Sequence, residues 1–146
     1  MKIIIVGDGK VGFTLAEHLS QEEHDITVID TNDAALRHAS EALDVMCVKG
    51  NGASISALRE SGVDAADVLI AATSMDEVNM VCCLTAKRLG AKYTIARVRN
   101  VEYAMELSLL KEELGIDLVI NPENAAAAEI ARLLRFPPAA NLETFC

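Results

Sequence analysis

A glycine-rich turn between two apolar runs is the feature that most constrains the fold of this chain. Residues 3–12 read IIIVGDGKVG, which contains the pattern GxGxxG, and Asp30 closes the second apolar run about 20 residues further on. In this pattern the first glycine permits a tight turn, the second lets a pyrophosphate approach the backbone, and the third lets a helix pack on the sheet. The N–H groups at the start of that helix attract phosphate, and a carboxylate such as Asp30 accepts hydrogen bonds from ribose hydroxyls. The segment therefore predicts a site for an adenine nucleotide.

Strand-length apolar runs alternate with helical patterns along the rest of the chain. Periodicity and turn residues predict strands at 3–6, 26–29, 45–48, 68–72, 93–98 and 118–120, and helices at 10–20, 33–42, 54–61, 76–89, 101–114 and about 122–135. This alternation predicts an α/β fold of the Rossmann type: a doubly wound, six-stranded parallel sheet in the order 3-2-1-4-5-6, with helices on both faces. Because only the first half of the pattern carries the glycine motif, we expect one pyrophosphate site.

The composition narrows the class of protein further. Hydrophobic residues make up 51% of the chain but aromatic residues only 3%, which predicts the aliphatic core of a buried parallel sheet. The net charge of −9, without a dense basic patch, argues against binding to nucleic acid or anionic lipid. No apolar stretch reaches the roughly 18 residues that span a bilayer, and no signal peptide is visible, so direct insertion into lipid is not expected. The cysteines have no C-x-x-C spacing and the histidines are scattered, so we expect reduced thiols in the core and no metal site.

The residues that follow each strand are the candidates for ligand binding, because an open parallel sheet binds ligands at the carboxyl ends of its strands. The cofactor-binding set predicted in this way is Gly7, Asp8, Gly9, Lys10, Val11, Gly12, Asp30, Thr31, Asn51, Gly52, Thr73, Ser74 and Arg99. A carboxylate at Asp30 repels a 2′-phosphate. The set therefore favours NAD(H), or ATP and ADP, over NADP.

Several of these residues also have an ordinary structural interpretation. Asp30 could cap the second helix, and Asn51 could belong to an Asn-Gly turn rather than contact adenine. Thr73 and Ser74 lie where a ribose or second phosphate would pass, but they could also cap the fourth predicted helix. Lys10 could reach a terminal phosphate or be solvated.

Two arginines follow the fifth predicted strand at a spacing of two residues. Arg97 and Arg99 are therefore expected to project to the same face of the sheet. Paired arginines there predict contact with a phosphate or an ion pair with another subunit.

Two predicted helices are apolar nearly all round. These are 76–89 and 122–135, and a helix of this kind is buried on more than one face. One face covers the sheet, and the other predicts a partner, for which a two-fold dimer is the commonest arrangement. The alternative is alanine-rich helices with exposed alanines.

Three segments resemble the TrkA-type regulatory proteins of potassium uptake systems. They are GDGKVG at 7–12, AATSMDEVNM at 71–80 and IARVRNVEY at 95–103. The nucleotide-binding module of that family is called the RCK or KTN domain, and the resemblance covers essentially the whole chain. By position, Gly7, Gly9 and Gly12 match the family's phosphate loop, and Asp30 matches the acid that binds the ribose. Asn51 matches the loop on the adenine side, and Thr73 and Arg99 match residues that line the nucleotide cleft. Asp76, Glu77 and Asn79 match a motif near the family's dimer helix. The chain departs from the family at Lys10, where relatives specialised for ATP often carry Arg, and at Val101, where Pro is common.

The resemblance implies a domain organisation and a regulatory function. The Rossmann domain would span 1–135, with a final crossover helix at about 122–135, and 136–146 would begin a linker to a C-terminal subdomain. A homodimer, within a larger ring, would bind NAD(H) or ATP/ADP and gate a membrane potassium-translocating subunit. The protein would be cytoplasmic and peripheral, held on the inner face of the cell membrane through that transporter.

Two other classes of function stay open at this point. The chain could be the cofactor-binding half of an NAD-dependent dehydrogenase or of a siroheme-type oxidase, or an assembly module that binds no nucleotide. No catalytic residue is expected, because His18 and His24 fall at the amino edge of the sheet and His38 lies within the second helix. No Ser/His/Asp or Cys/His arrangement is visible either, which favours regulation over catalysis.

Overall fold

The computed structural model describes residues 1–121, which form alternating strands and helices. The strands are β1 Lys2–Val6, β2 Asp25–Asp30, β3 Met46–Lys49, β4 Val68–Ala71, β5 Tyr93–Arg97 and β6 Leu118–Ile120. The helices are α1 Lys10–Ser20, α2 Asp33–Ala42, α3 Ile55–Glu60, α4 Asp76–Leu89 and α5 Val101–Leu114, with a 3₁₀ turn at Val63–Ala65.

The strands pair in parallel in the order β3-β2-β1-β4-β5-β6. This confirms the predicted fold class, and each predicted element within the described residues ends within one residue of its observed bound. The 3₁₀ turn was not predicted. The predicted helix at about 122–135 and the linker at 136–146 lie outside the described residues.

The core has two layers, one on each face of the sheet. Successive side chains of a strand point to opposite faces, so Ile3 and Ile5 pack with Leu15 of α1, whereas Ile4 packs on the face covered by α3, α4 and α5. All four side chains are fully buried. The sheet is thus covered on both sides, as the near-continuous apolar strands predict.

The vicinal cysteines of α4 belong to this core. Cys82 and Cys83 are free and fully buried, and burial raises the pKa of the Cys82 thiol to about 12. Both thiols are therefore protonated and unreactive at neutral pH, which agrees with their interpretation as small core residues.

Candidate functional site

A cavity of about 810 Å³ opens at the carboxyl ends of the central strands. Its volume lies in the range typical of sites for small ligands. Ten of the predicted binding residues line it, namely Gly7, Gly9, Lys10, Val11, Asp30, Thr31, Asn51, Gly52, Thr73 and Ser74. Asp8, Gly12 and Arg99 do not line it, whereas Gly50, Met75, Val78 and Arg97, which are absent from the predicted set, do.

The glycine loop forms the floor of the cavity between β1 and α1. Gly7 has φ +97°, a left-handed conformation that side chains disfavour, and its N–H donates to the Ile29 carbonyl at 2.8 Å. A Cβ on Gly12 would stand 1.7 Å from the Gly7 carbonyl oxygen, so this residue permits the close approach of α1 to the loop. A Cβ on Gly9 would meet no atom within 4 Å, so the space beside Gly9 is open to a ligand.

The carboxylate of Asp30 is oriented by two backbone donors. Its Oδ2 accepts the Asp8 N–H at 2.7 Å and its Oδ1 accepts the Asn32 N–H at 2.8 Å. Each oxygen keeps acceptor capacity for a further donor on the side of the cavity. The cap of α2 is Asn32, whose side chain accepts from Ala34 and Ala35, so the interpretation of Asp30 as a cap is wrong.

The loop after β3 closes the same side of the cavity. Asn51 Oδ1 accepts the Ala53 N–H at 2.9 Å, so the side chain of Asn51 stabilises a turn while it faces the cavity. A Cβ on Gly52 would stand 2.0 Å from Val6 Cγ1, which explains the glycine at this position. The loop thereby packs directly on the end of β1.

The opposite wall of the cavity is built from the ends of β4 and β5. The guanidinium of Arg97 donates to the Thr73 carbonyl at 3.2 Å, and both residues line the cavity. The buried side chain of Asn79 binds the N–H, hydroxyl and carbonyl of Thr73 and the carbonyl of Arg97. Sequence reasoning noted Asn79 only as part of a motif, because its partners lie on other elements.

Arg99 lies outside the cavity and departs from the predicted arrangement. Strand β5 ends at Arg97, and only Arg97 of the two arginines lines the cavity, although both guanidinium groups reach carbonyls of the same loop, at Thr73 and Ser74. The guanidinium of Arg99 donates to the Ser74 carbonyl at 2.9 Å, and its N–H donates to both oxygens of Asp76 at 3.1 Å. Arg99 thus touches the cavity wall only through Ser74.

The start of α4 differs from expectation as well. Its N-cap is Met75, which provides no side-chain cap, and neither Thr73 nor Ser74 serves as one. Thr73 Oγ1 instead accepts the Met75 N–H at 3.2 Å and donates to Asn79 at 2.7 Å. The capping interpretation of these two residues is therefore wrong.

Asp8 is buried and does not line the cavity. Its side chain is 7% exposed, and neither carboxylate oxygen has a hydrogen-bond partner among residues 1–121. Burial, reinforced by the neighbouring Asp30 charge and opposed by His38, raises the pKa of Asp8 to about 6. Its backbone N–H, rather than its side chain, contributes to the site by orienting Asp30.

Large apolar side chains are exposed on α4 and α5. Val101, Met105 and Leu109 are spaced by four residues on α5 and are 72%, 69% and 82% exposed, and Val81 of α4 is 48% exposed. We call these four residues the α4–α5 surface. No helix within residues 1–121 is long and apolar enough to cross a membrane.

The chain is similar to known potassium-transport proteins. The family model of the TrkA-N domain matches residues 3–122. The Trk system potassium uptake protein TrkA of Halomonas elongata is 46% identical over 99% of this chain and 32% of its own length. A TrkA homolog of Archaeoglobus fulgidus is 41% identical over 99% of this chain and 33% of its own length. The chain therefore spans about a third of the length of the curated relatives it matches.

Solved structures of similar fold include nucleotide complexes. The GsuK channel bound to NAD superposes with a TM-score of 0.70 at 27% identity, over 82% of this chain and 21% of the other. GsuK bound to ADP gives a TM-score of 0.68 at 27% identity, over 82% of this chain and 30% of the other. The TrkA-N domain of the Escherichia coli inner membrane protein ybaL shares the fold with a TM-score of 0.74 at 23% identity, over 91% of this chain and 96% of the other.

Proposed function

The chain belongs to the TrkA-N domain family, and on that premise we propose that it binds an adenine nucleotide and thereby regulates a membrane potassium transporter. The observation that carries the proposal is the cavity with the glycine loop on its floor and the oriented carboxylate of Asp30 on its side. The names of its relatives, Trk system potassium uptake proteins, and the NAD and ADP complexes of GsuK support it.

Each part of the cavity has a proposed role. The backbone at Gly7 and Gly9, with Lys10 and Val11 at the start of α1, receives the pyrophosphate, and Gly12 lets α1 lie close to this loop. Asp30 and Thr31 bind the ribose, and the loop with Asn51 and Gly52 faces the adenine. Thr73, Ser74 and Arg97 line the part of the cavity beyond the first phosphate. We propose no direct ligand contact for the side chains of Asp8 and Arg99.

The proposed ligand is NAD(H), with ATP or ADP as the other candidates. A 2′-phosphate would bring negative charge against Asp30, whose two oxygens are held toward the ribose position, so NADP is disfavoured. Lys10 is exposed at the first residue of α1 and supplies one cation for a terminal phosphate.

We propose regulation without catalysis. The ligand would shift the balance between two arrangements of the protein, which requires that it bind one of them more tightly. In this proposal two copies of the chain associate through the α4–α5 surface within a larger ring. The assembly lies in the cytoplasm, attached to the inner face of the membrane through the potassium-translocating subunit.

Isothermal titration calorimetry with NAD, ADP and NADP tests the ribose role of Asp30. In Asp30→Asn the affinity for NAD should fall at least about tenfold, the equivalent of about 1.4 kcal/mol, because the stronger charge-assisted acceptors are lost. Asp33→Asn is the matched control, since Asp33 is an exposed carboxylate that pairs with Lys49 outside the cavity lining.

Two outcomes would contradict the proposal. If the parent chain binds no nucleotide at millimolar concentration, the assembly-module alternative gains support. If it turns over NAD with a small-molecule substrate, the dehydrogenase alternative does. An Asp30→Asn variant with parent affinity would contradict only the assignment of this residue.

A further inference from the structure

Asn79 lies in the first turns of α4 and is completely buried. Its side-chain amide takes part in four hydrogen bonds. Its Oδ1 accepts the Thr73 N–H at 2.9 Å and the Thr73 hydroxyl at 2.7 Å, and its Nδ2 donates to the carbonyls of Thr73 at 3.0 Å and Arg97 at 2.8 Å. All of these partners belong to residues that line the cavity.

The amide connects two strand ends that the sheet does not hold together. The last residue pair between β4 and β5 is Ala71 with Ala96, so Thr73 and Arg97 lie beyond the ladder. Asn79 supplies the donors and acceptor that a continued ladder would otherwise provide. Together with the Arg97 guanidinium, which donates to the Thr73 carbonyl at 3.2 Å, this side chain sets the spacing between the two strand ends at the cavity wall.

Only an amide meets this set of partners. Asn offers two donors and an acceptor, whereas Asp lacks the donors and an aliphatic side chain lacks both. Three residues earlier on the same face of α4, Asp76 accepts the N–H groups of Arg99 and Asn100, which follow β5. The first turns of α4 thus hold the chain beyond both strands.

We propose that Asn79 is a positioning residue for the distal half of the nucleotide site, where it sets the placement of Thr73 and Arg97 against the part of the ligand beyond the first phosphate. This inference rests on the proposed nucleotide-binding function. Asn79 does not line the cavity itself, and its four hydrogen bonds go to Thr73 and Arg97 rather than to Asp30 or Asn51 on the other side. Its loss should therefore weaken a dinucleotide selectively and spare a mononucleotide.

The experiment compares NAD with AMP on the 146-residue chain by calorimetry. In Asn79→Ala and Asn79→Ser the dissociation constant for NAD should rise at least about tenfold, while that for AMP stays within about threefold. Thr94→Val is the matched control, because Thr94 is also fully buried and donates its hydroxyl to a backbone carbonyl, that of Gly115, away from the cavity. In this control both constants should change together and by less than about threefold.

A measurement on the parent chain keeps the test decisive if the variants fail to fold. Hydrogen exchange of the Thr73 amide, which donates to Asn79, should slow on binding of NAD and change little on binding of AMP. An equal loss for NAD and AMP in folded Asn79 variants, or equal protection of Thr73 by both ligands, would overturn the inference. Failure of the parent chain to bind either ligand would instead refute the proposed function, and this inference with it.

Discussion

At the scale of single residues, the three glycines of the motif meet different physical requirements. Gly7 is needed for its positive φ, and Gly12 because a Cβ there would collide with the Gly7 carbonyl oxygen. Gly9 has φ −79° and open space where a Cβ would stand, so the described fold itself does not require a glycine there. The lack of a side chain at Gly9 is consistent with a requirement imposed by a ligand.

This difference predicts opposite behaviour for two alanine variants. Gly9→Ala should keep its free energy of unfolding within about 1 kcal/mol of the parent and lose at least about tenfold in affinity for ADP, because the methyl group enters the phosphate position. Gly12→Ala should lose both stability and affinity, because its Cβ would stand 1.7 Å from backbone. Urea denaturation and calorimetry measure the two quantities. Parent-like ADP binding in Gly9→Ala would contradict the role of Gly9.

The buried carboxyl of Asp8 predicts that the free energy of unfolding depends on pH, which the sequence motif alone does not reveal. In the folded chain its pKa is raised from 3.8 to about 6, so the folded state holds the proton more tightly than the unfolded state does. The free energy of unfolding should therefore fall as pH rises from about 4 to 6, and the contribution of Asp8 should not change further above that range. Asp8→Asn should stabilise the chain by about 2 kcal/mol at pH 8 and by much less near pH 4.

Denaturation of both proteins at pH 4 and pH 8 measures this difference. Asp44→Asn serves as a control, since Asp44 is exposed and the same substitution there should change stability little at either pH. A stability gain for Asp8→Asn that is equal at both pH values would show that shape rather than charge is responsible.

At the scale of elements, the sequence predicts the helices and strands well because residues close to each other in the chain determine where these elements begin and end. The end of α4 follows from Gly90, which adopts φ 118° at the C-cap. The order of the sheet follows from the handedness and alternation of the crossovers. These features need no knowledge of distant contacts.

The details of the cavity wall could not be predicted in the same way, because tertiary contacts decide them. Thr is a residue type that commonly caps helices, but the Thr73 hydroxyl donates to Asn79 instead, and α4 begins without a side-chain cap. Arg99 has strand spacing from Arg97, but Asp76 binds the backbone where β5 would have continued. The glycine loop and Asp30 were predictable, whereas the wall held by α4 required the structure.

At the scale of the whole molecule, the exposed apolar side chains are unevenly distributed. Neither α1 nor α2 has an exposed large hydrophobic residue, whereas α5 has four, namely Val101, Met105, Leu109 and Leu110. Helix α5 is linked to α4, since the Tyr103 hydroxyl donates to Glu77 at 2.9 Å. A partner seated on the α4–α5 surface would thus contact the helix that holds Thr73 and Arg97. Association and ligand binding could then influence each other through one element.

The proposed dimer can be tested on this surface without damage to the core. Leu109 is 82% exposed, so Leu109→Glu should leave the fold intact. In a two-fold interface the substitution would place a charge in each copy against apolar surface and remove about 1.5–3 kcal/mol of burial per leucine.

We expect sedimentation equilibrium to show a dimer for the parent chain and a monomer for Leu109→Glu at the same concentration. The exposed position Glu112, changed to Gln, is the control and should remain dimeric. The proposed dimer interface would be contradicted if the parent chain is monomeric at high micromolar concentration, or if the Leu109→Glu variant associates as the parent does.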